Sequence, residues 1–350
     1  MIIGIPKERK VHEYRVSVTP QTVRVLTQKG YRVLIERGAG AGSAISDGDF
    51  SEAGAEIVET NEEVFKKSDL IVKVKEPTLE EISLFREGQI LFSYLHIAAN
   101  PALGKSLADK GVRAIAYETV EMPDGSIPLL IPMSRIAGRL SVQIGIHFLE
   151  KLHGGKGVLI GSVPGVKPGK VTIIGGGTVG YNATLVALGL KAEVTVIDKG
   201  IEKLELFHKT FEGRIRTLPS YPEVIKEEVS HSDIVVGAVL VPGARTPRVI
   251  TKDMISSMEP GSVLVDVAID QGGCAETSRP TTHESPTFTV DGVIHYCVTN
   301  IPSLVSRTAT YSLSNASLSY ILKIAEGRLE ADKALRKGIN VDRGKVLINV

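Results

Sequence analysis

The stretch that most restricts the fold is KVTIIGGGTVGYNATLVALGLKAEVTVID, Lys170–Asp198. An apolar run meets Gly175, Gly177 and Gly180 in G-x-G-x-x-G spacing, and a helix-forming segment follows at once. Each glycine has a task in a strand–turn–helix unit. Gly175 permits the tight turn, Gly177 lets the backbone approach a pyrophosphate, and Gly180 lets the helix lie against the strand. Thr178 and Val179 open that helix, whose first N–H groups and dipole favour an anion. A second apolar run ends in Asp198, placed to accept hydrogen bonds from adenosine ribose hydroxyls and to repel a 2′-phosphate. That choice selects NAD over NADP. A tight turn without a ligand explains the glycines but not the strand, helix, second strand and terminal acid in register.

The remaining chain repeats the alternation of short β-rich runs with longer helical stretches, which predicts an α/β fold with parallel sheets. One set of strands is expected at Ile2–Pro6, Tyr31–Glu36, Leu70–Lys75, Ile90–Leu95 and Arg113–Glu118. The second is expected at Lys170–Gly175, Glu193–Asp198, Asp233–Ala238, Ser262–Ile269 and Val293–Val298. Helical periodicity over Met133–Gly155 and Thr310–Gly327 puts a long helix on either side of the second set. The chain of 350 residues is long enough for two domains. We therefore expect two Rossmann-like doubly wound domains joined by long helices, with the active site in the cleft between them. The first is discontinuous, 1–129 plus 306–350, and the second, 130–305, binds the nucleotide.

Composition excludes several classes. Lys+Arg at 41 nearly balance Asp+Glu at 40, which argues against a nucleic-acid partner. Cys274 and Cys297 offer neither a disulfide framework nor metal-ligand spacing, so no metal is expected. The longest apolar runs, such as Ile234–Gly243, are too short to span a bilayer, and MIIGIPKERK lacks the apolar length of a signal peptide. A cytoplasmic protein is expected.

Strand ends suggest the chemistry, because open α/β sheets bind ligands outside the carboxyl ends of their strands. Lys75 lies at such an end, sharing a face with Lys73 by period two, and His96 follows ILFSYL. Arg15 abuts the apolar run leading into a helix. Each has a plain alternative: a solvated lysine, a structural histidine, a surface ion-pair partner. His12, His153 and His231 are expected to be structural or exposed. VDVAIDQGG (Val265–Gly273) carries two acids in one predicted strand. Asp266, inside it, reads as structural, accepting hydrogen bonds from a neighbouring loop. Asp270 lies roughly 13 Å further along an extended strand, at its carboxyl end and just before Gly272–Gly273.

Many ordered blocks resemble the NAD-dependent alanine dehydrogenases over nearly the full length. They include GIPKERKVHEYRVSVTP, GAGAGSAISDGDF, VKVKEP, GQILFSYLHIAA, AYETV, IPMSRIAGRL, SVPGV, GGGTVGYNA, GAVLVPGARTP, VDVAIDQGG, SRPTTHESPTF and VTNIPS. The resemblance implies Arg15 and Lys75 as binders of the substrate carboxylate and carbonyl, His96 as general acid/base and Asp270 as its catalytic companion. It implies that Ser134, the VLVPG loop with Val239 and Leu240, and Asn300 line the cofactor groove, Asn300 also reaching the substrate. Ser220 is assigned to the adenosine end. The implied reaction is reversible NAD-dependent deamination of L-alanine to pyruvate and ammonium, with domain closure assembling the site, in a homohexamer. The chain stops after KGINVDRGKVLINV, where the resemblance suggests a further short helical segment. The competing readings are the NAD(H)-binding subunit of a nicotinamide nucleotide transhydrogenase and a catalytically idle NAD-binding protein. A lysine-pathway dehydrogenase of similar architecture calls for a larger, more acidic pocket.

Overall fold

The computed structural model describes residues 1–239 and 245–348. The chain divides into two compact units, Met1–Met133 with Ser303–Val350, and Ser134–Pro302. The first unit contains strands β1 (Ile2–Ile5), β2 (Arg32–Glu36), β3 (Glu56–Val58), β4 (Leu70–Val72), β5 (Ile90–Ser93) and β6 (Arg113–Ala116). The second contains β7 (Lys170–Ile174), β8 (Glu193–Asp198), β9 (Arg216–Pro219), β10 (Ile234–Gly237), β11 (Val263–Asp266), β12 (Thr287–Val290) and β13 (Val293–Tyr296). The chain then adds β14 (Ile339–Asp342) and β15 (Lys345–Val346) to the first sheet.

Both sheets follow the doubly wound plan. The first runs β15-β14-β6-β5-β4-β1-β2-β3 and the second β12-β13-β11-β10-β7-β8-β9. Strands β1–β6 pair in parallel, as do β7–β11 with β13. Strand order reverses between β1 and β4 in one sheet and between β7 and β10 in the other, so each sheet has a crevice at those carboxyl ends. Strands β12, β14 and β15 pair antiparallel. Their hydrophobic periods are too short to be conspicuous in the sequence, and β3 and β9 are missed there for the same reason. The β14–β15 turn has Arg343 and Gly344 at φ 47 and 75, the double left-handed requirement of a two-residue hairpin.

The helix Pro20–Gln28 starts on a Thr-Pro pair: Thr19 caps it, accepting from the Thr22 amide, and Pro20 stands in the first turn. The long helix Ser306–Ala325 docks within the first unit through hydroxyls as well as apolar contacts. Thr310 Oγ1 accepts from the Val16 amide at 3.0 Å, and Ser314 Oγ accepts from the Thr19 amide at 2.9 Å and meets Thr22 Oγ1 at 2.7 Å. These bonds satisfy backbone groups of the buried segment before Pro20, which would otherwise be stranded away from water.

Arg113 grips Asp342 through two hydrogen bonds of 2.7 Å and pins β14 to β6. The Arg113 hydrogen bonds hold the Asp342 carboxyl below its ordinary range. A depressed carboxylate contributes stability above its unfolded pKa and loses it as pH falls. Asp342→Asn is therefore expected to cost about 1 kcal/mol at pH 7, with the difference from wild type closing below about pH 4. Denaturant melts at several pH values measure this.

Candidate active site

In the first unit, candidate chemistry gathers where β1, β4 and β5 end. Strand β4 stops at Val72, so Lys73 and Lys75 lie beyond it rather than within it, and their surroundings differ. Lys73 is fully buried, its Nζ 2.7 Å from Glu81 Oε1 and 3.3 Å from Glu8 Oε2. Burial opposes the charge on Lys73, but the two carboxylates outweigh it and raise its pKa. Glu8 also accepts from the Val74 amide at 2.6 Å, yet burial still raises its pKa against the pull of Lys73. Lys75 is half-buried and, among the described residues, its ammonium has no hydrogen-bond or ion-pair partner. The two strand-end lysines thus separate into a structural cation and an available one.

Arg15 is 2% exposed. Its Nε and Nη2 each donate to a Glu13 carboxylate oxygen at 2.6 Å, and Nη1 donates to Met133 Sδ at 3.1 Å. Burial works against the guanidinium charge, and Glu13 more than compensates. Such a fork fixes the plane of the group. Tyr94 follows the last residue of β5. Its ring stacks on His96, with centroids 6.1 Å apart and an interplanar angle of 8°. Its hydroxyl donates to Leu129 O at 2.5 Å and feels the charges of Arg15 and Glu118. Its amide donates to Val74 O, next to Lys75.

His96 is half-buried, with a left-handed backbone at φ 49. A non-glycine residue there costs of order 1–3 kcal/mol and persists only when its surroundings impose it. Glu118, on the turn after β6, supplies that imposition by accepting the His96 amide at 2.6 Å and the Leu95 amide at 3.2 Å. Glu8, Glu13, Glu81, Tyr94 and Glu118 were not singled out from the sequence. AYETV offered a weak signal for Glu118, an acid at a strand end, but nothing local pairs it with a residue 22 positions earlier.

In the second unit, Gly175, Gly177 and Gly180 lie where β7 turns into the helix Thr178–Gly189. A Cβ on Gly180 would sit 1.9 Å from Gly175 O, whereas one on Gly177 would meet nothing within 4 Å. Gly180 is therefore required by packing, and Gly177 faces open space at a helix start with no side-chain cap. Thr178 and Val179 are half-buried in the first turn. Asp198 ends β8 and is 7% exposed. It accepts the Gly176 amide at 2.7 Å and the Gly200 amide at 2.8 Å, so it shapes the glycine turn as well as marking the strand end. Lys203 Nζ stands 3.5 Å from the oxygen that accepts Gly176, which leaves the other oxygen with a second acceptor direction. Ser220 lies beside it, its amide donating to Asp198 O at 3.1 Å. Val239 follows β10 and packs on the core, while Leu240 lies outside the described residues. Ser134 is half-buried in the helix Ile131–Leu149, and Asn300 is half-buried at φ 66.

VDVAIDQGG differs from its sequence reading in one respect. Strand β11 ends at Asp266, and Asp270 lies in a 3-10 turn, Ile269–Gln271, so no extended strand separates the two acids. The reason is Asp266 itself. Fully buried, it accepts from the amides of Ala268 at 3.0 Å and Cys274 at 2.8 Å and from Ser278 Oγ at 2.6 Å, folding the chain back around its carboxylate. Gly273 serves this wrap: a Cβ there would sit 2.8 Å from Asp266 Oδ2. Burial, and then the adjacent Asp266 charge, push the Cys274 thiol well up, leaving it an inert core group. Asp270 is exposed.

The family model for the alanine dehydrogenase/PNT N-terminal domain matches residues 4–137, and that for the C-terminal domain matches 141–349. An alanine dehydrogenase of Halomonas elongata is 51% identical over 350 residues, covering 99% of this chain and 94% of the relative. A solved L-alanine dehydrogenase superposes with a TM-score of 0.96 at 48% identity, covering 99% of this chain and 97% of that one. A transhydrogenase from Sinorhizobium meliloti superposes at 0.86 with 25% identity and 99% coverage of both chains. This chain belongs to the alanine dehydrogenase/PNT family.

Proposed function

We propose that this chain is an L-alanine dehydrogenase, catalysing reversible NAD-dependent oxidative deamination of L-alanine to pyruvate and ammonium. The observation that carries the reading is the set at the mouth of the first sheet: a guanidinium locked by Glu13, an available ammonium at Lys75, and an imidazole held by Glu118. A 2-oxo acid needs a planar cation for its carboxylate and a second donor for its carbonyl, roles that fit Arg15 and Lys75. His96 is assigned to proton transfer, removing a proton from the water that adds to the oxidised α-carbon and returning one in the reverse direction. Asp270 is its companion carboxylate, and Asn300 contributes to substrate binding.

The second unit suits a nicotinamide dinucleotide. The open space at Gly177 and the uncapped helix start fit a pyrophosphate. When bound, the nucleotide supplies the acceptor for the hydride leaving the α-carbon. Thr178 and Val179 offer amides to it, and Ser134, Ser220, Val239 and Leu240 line its groove. Asp198 favours NAD, since a buried carboxylate repels a 2′-phosphate. The same reading puts the protein in the cytoplasm as a homohexamer. No helix among the described residues is long and apolar enough to cross a membrane.

The test is NADH formation with L-alanine and NADH consumption with pyruvate plus ammonium. Failure of both, with hydride exchange between nucleotides, would favour the transhydrogenase-subunit reading; binding without turnover would favour an idle NAD-binding protein. The glycines provide a separate check. Gly177→Ala should leave the melting temperature unchanged while weakening NADH binding measured by fluorescence titration. Gly180→Ala should lower the melting temperature, because its Cβ has no room.

A further inference from the structure

We propose that His147, Glu150 and His153 form a surface binding site for a divalent transition-metal ion of the zinc, nickel or copper class. It uses none of the residues assigned to the proposed active site and is independent of the dehydrogenase reading. The three residues lie where the helix Ile131–Leu149 ends and a short 3-10 turn, Lys151–His153, folds back. One ligand atom from each lies within 4.8 Å of the others. The two imidazole centroids are 3.9 Å apart with the rings tilted at 41°, and His153 Nε2 is 3.7 Å from Glu150 Oε2. Phe148 packs edge-on to both histidines, at 5.1 Å from His147 and 5.9 Å from His153, and restricts where the rings can go.

The chemistry of the set is selective. Two imidazoles and one carboxylate suit zinc, nickel or copper, whereas magnesium and calcium prefer oxygen alone. Ligand atoms on a tetrahedral zinc stand roughly 3.3 Å apart, so rotamer shifts of about 1 Å close the set and leave one position for water. An ordinary surface ion pair between Glu150 and His153 accounts for two of the residues but gives His147 no reason to lie against His153. Neighbouring protonated imidazoles repel, whereas neutral ones offer two lone pairs to a cation. The H-x-x-E-x-x-H spacing is not the i, i+4 pattern of a helical metal site. It works here because the chain leaves the α-helix after Leu149 and Gly154, at φ 89, closes the turn.

The site is distant from Ser134, the proposed cofactor residue on the same helix. His147 is 13 residues along the helix from Ser134, about 20 Å at 1.5 Å per residue. Metal occupancy ties the helix end to the turn without entering the groove.

The experiment uses the full chain without a histidine tag. Equilibrium dialysis against Zn²⁺ should find one saturable equivalent per chain. His147→Ala and His153→Ala should each weaken it by about tenfold or more, since even residues that only support metal ligands typically cost 10–100-fold. Electron paramagnetic resonance of the Cu²⁺-loaded protein should show nitrogen coupling that the double variant lacks. The double variant should retain metal-free folding and dehydrogenase turnover. No saturable equivalent in the wild type, or uptake and nitrogen coupling unchanged in the double variant, overturns the proposal.

Discussion

His96→Ala is expected to lower kcat for alanine oxidation by about 10²–10⁴-fold, the usual worth of a positioned acid/base, while NADH binds as in the wild type. The backbone of position 96 is held by Glu118 through its amide, a contact that the substitution keeps. The ring's stacking on Tyr94 is lost, but Tyr94 remains anchored to Leu129 O and within the aromatic cluster with Tyr117 at 5.0 Å. Steady-state kinetics and a fluorescence titration of NADH on the same preparation separate the two effects. Lost NADH binding, or a kcat within threefold of wild type, would show that His96 is structural. Glu118→Gln is the positioning control: it keeps the shape but weakens the grip on two amides, so its effect should fall between the two.

Lys73→Met is expected to destabilise the first unit by about 3–5 kcal/mol at pH 7, the usual cost of removing one partner from a buried ion pair. For a unit of this size that corresponds to a fall in melting temperature of roughly 10 °C. Methionine fills much of the lysine volume, so the loss reports charge rather than a cavity. Glu8 and Glu81 then remain buried with no cation between them. Burial already raises the Glu8 pKa, and Lys73 is the main opposing influence. A carboxyl whose folded pKa is raised contributes stability fully below its unfolded pKa, about 4.3, and loses it as pH rises. The deficit of Lys73→Met should therefore be largest at neutral pH and shrink towards pH 5. Calorimetry over that range measures it, and adding Glu8→Gln and Glu81→Gln should recover part of the loss. A deficit independent of pH would assign the role of Lys73 to packing alone.

The two lysines show what a linear reading resolves. Period two put Lys73 and Lys75 on one strand face, and the strand-end rule favoured Lys75. Which cation is locked depends on Glu8 and Glu81, from the turn after β1 and from a helix after β4, and neither alignment is visible along the chain. Arg15 likewise stood out by its place before an apolar run, but nothing along the chain shows that Glu13 locks its guanidinium. For Asp266 the structural reading agrees with the five donors around it, yet the extended strand drawn through Asp270 does not, because a buried carboxylate collecting amides bends the chain that supplies them.

What the sequence by itself determined is local. The glycine spacing, the apolar runs on either side and the acid at the end of the second run act within about thirty residues, through sterics and backbone hydrogen bonding that do not depend on the rest of the molecule. The doubly wound plan follows from alternating periods for the same reason. Tertiary structure alone decided which of the strand-end charges are held and which are available. These outcomes depend on partners far apart in sequence, such as the Glu8 carboxylate and the Val74 amide 66 residues on. A buried charge takes its energy from whatever stands within a few ångströms of it, wherever in the chain that group began.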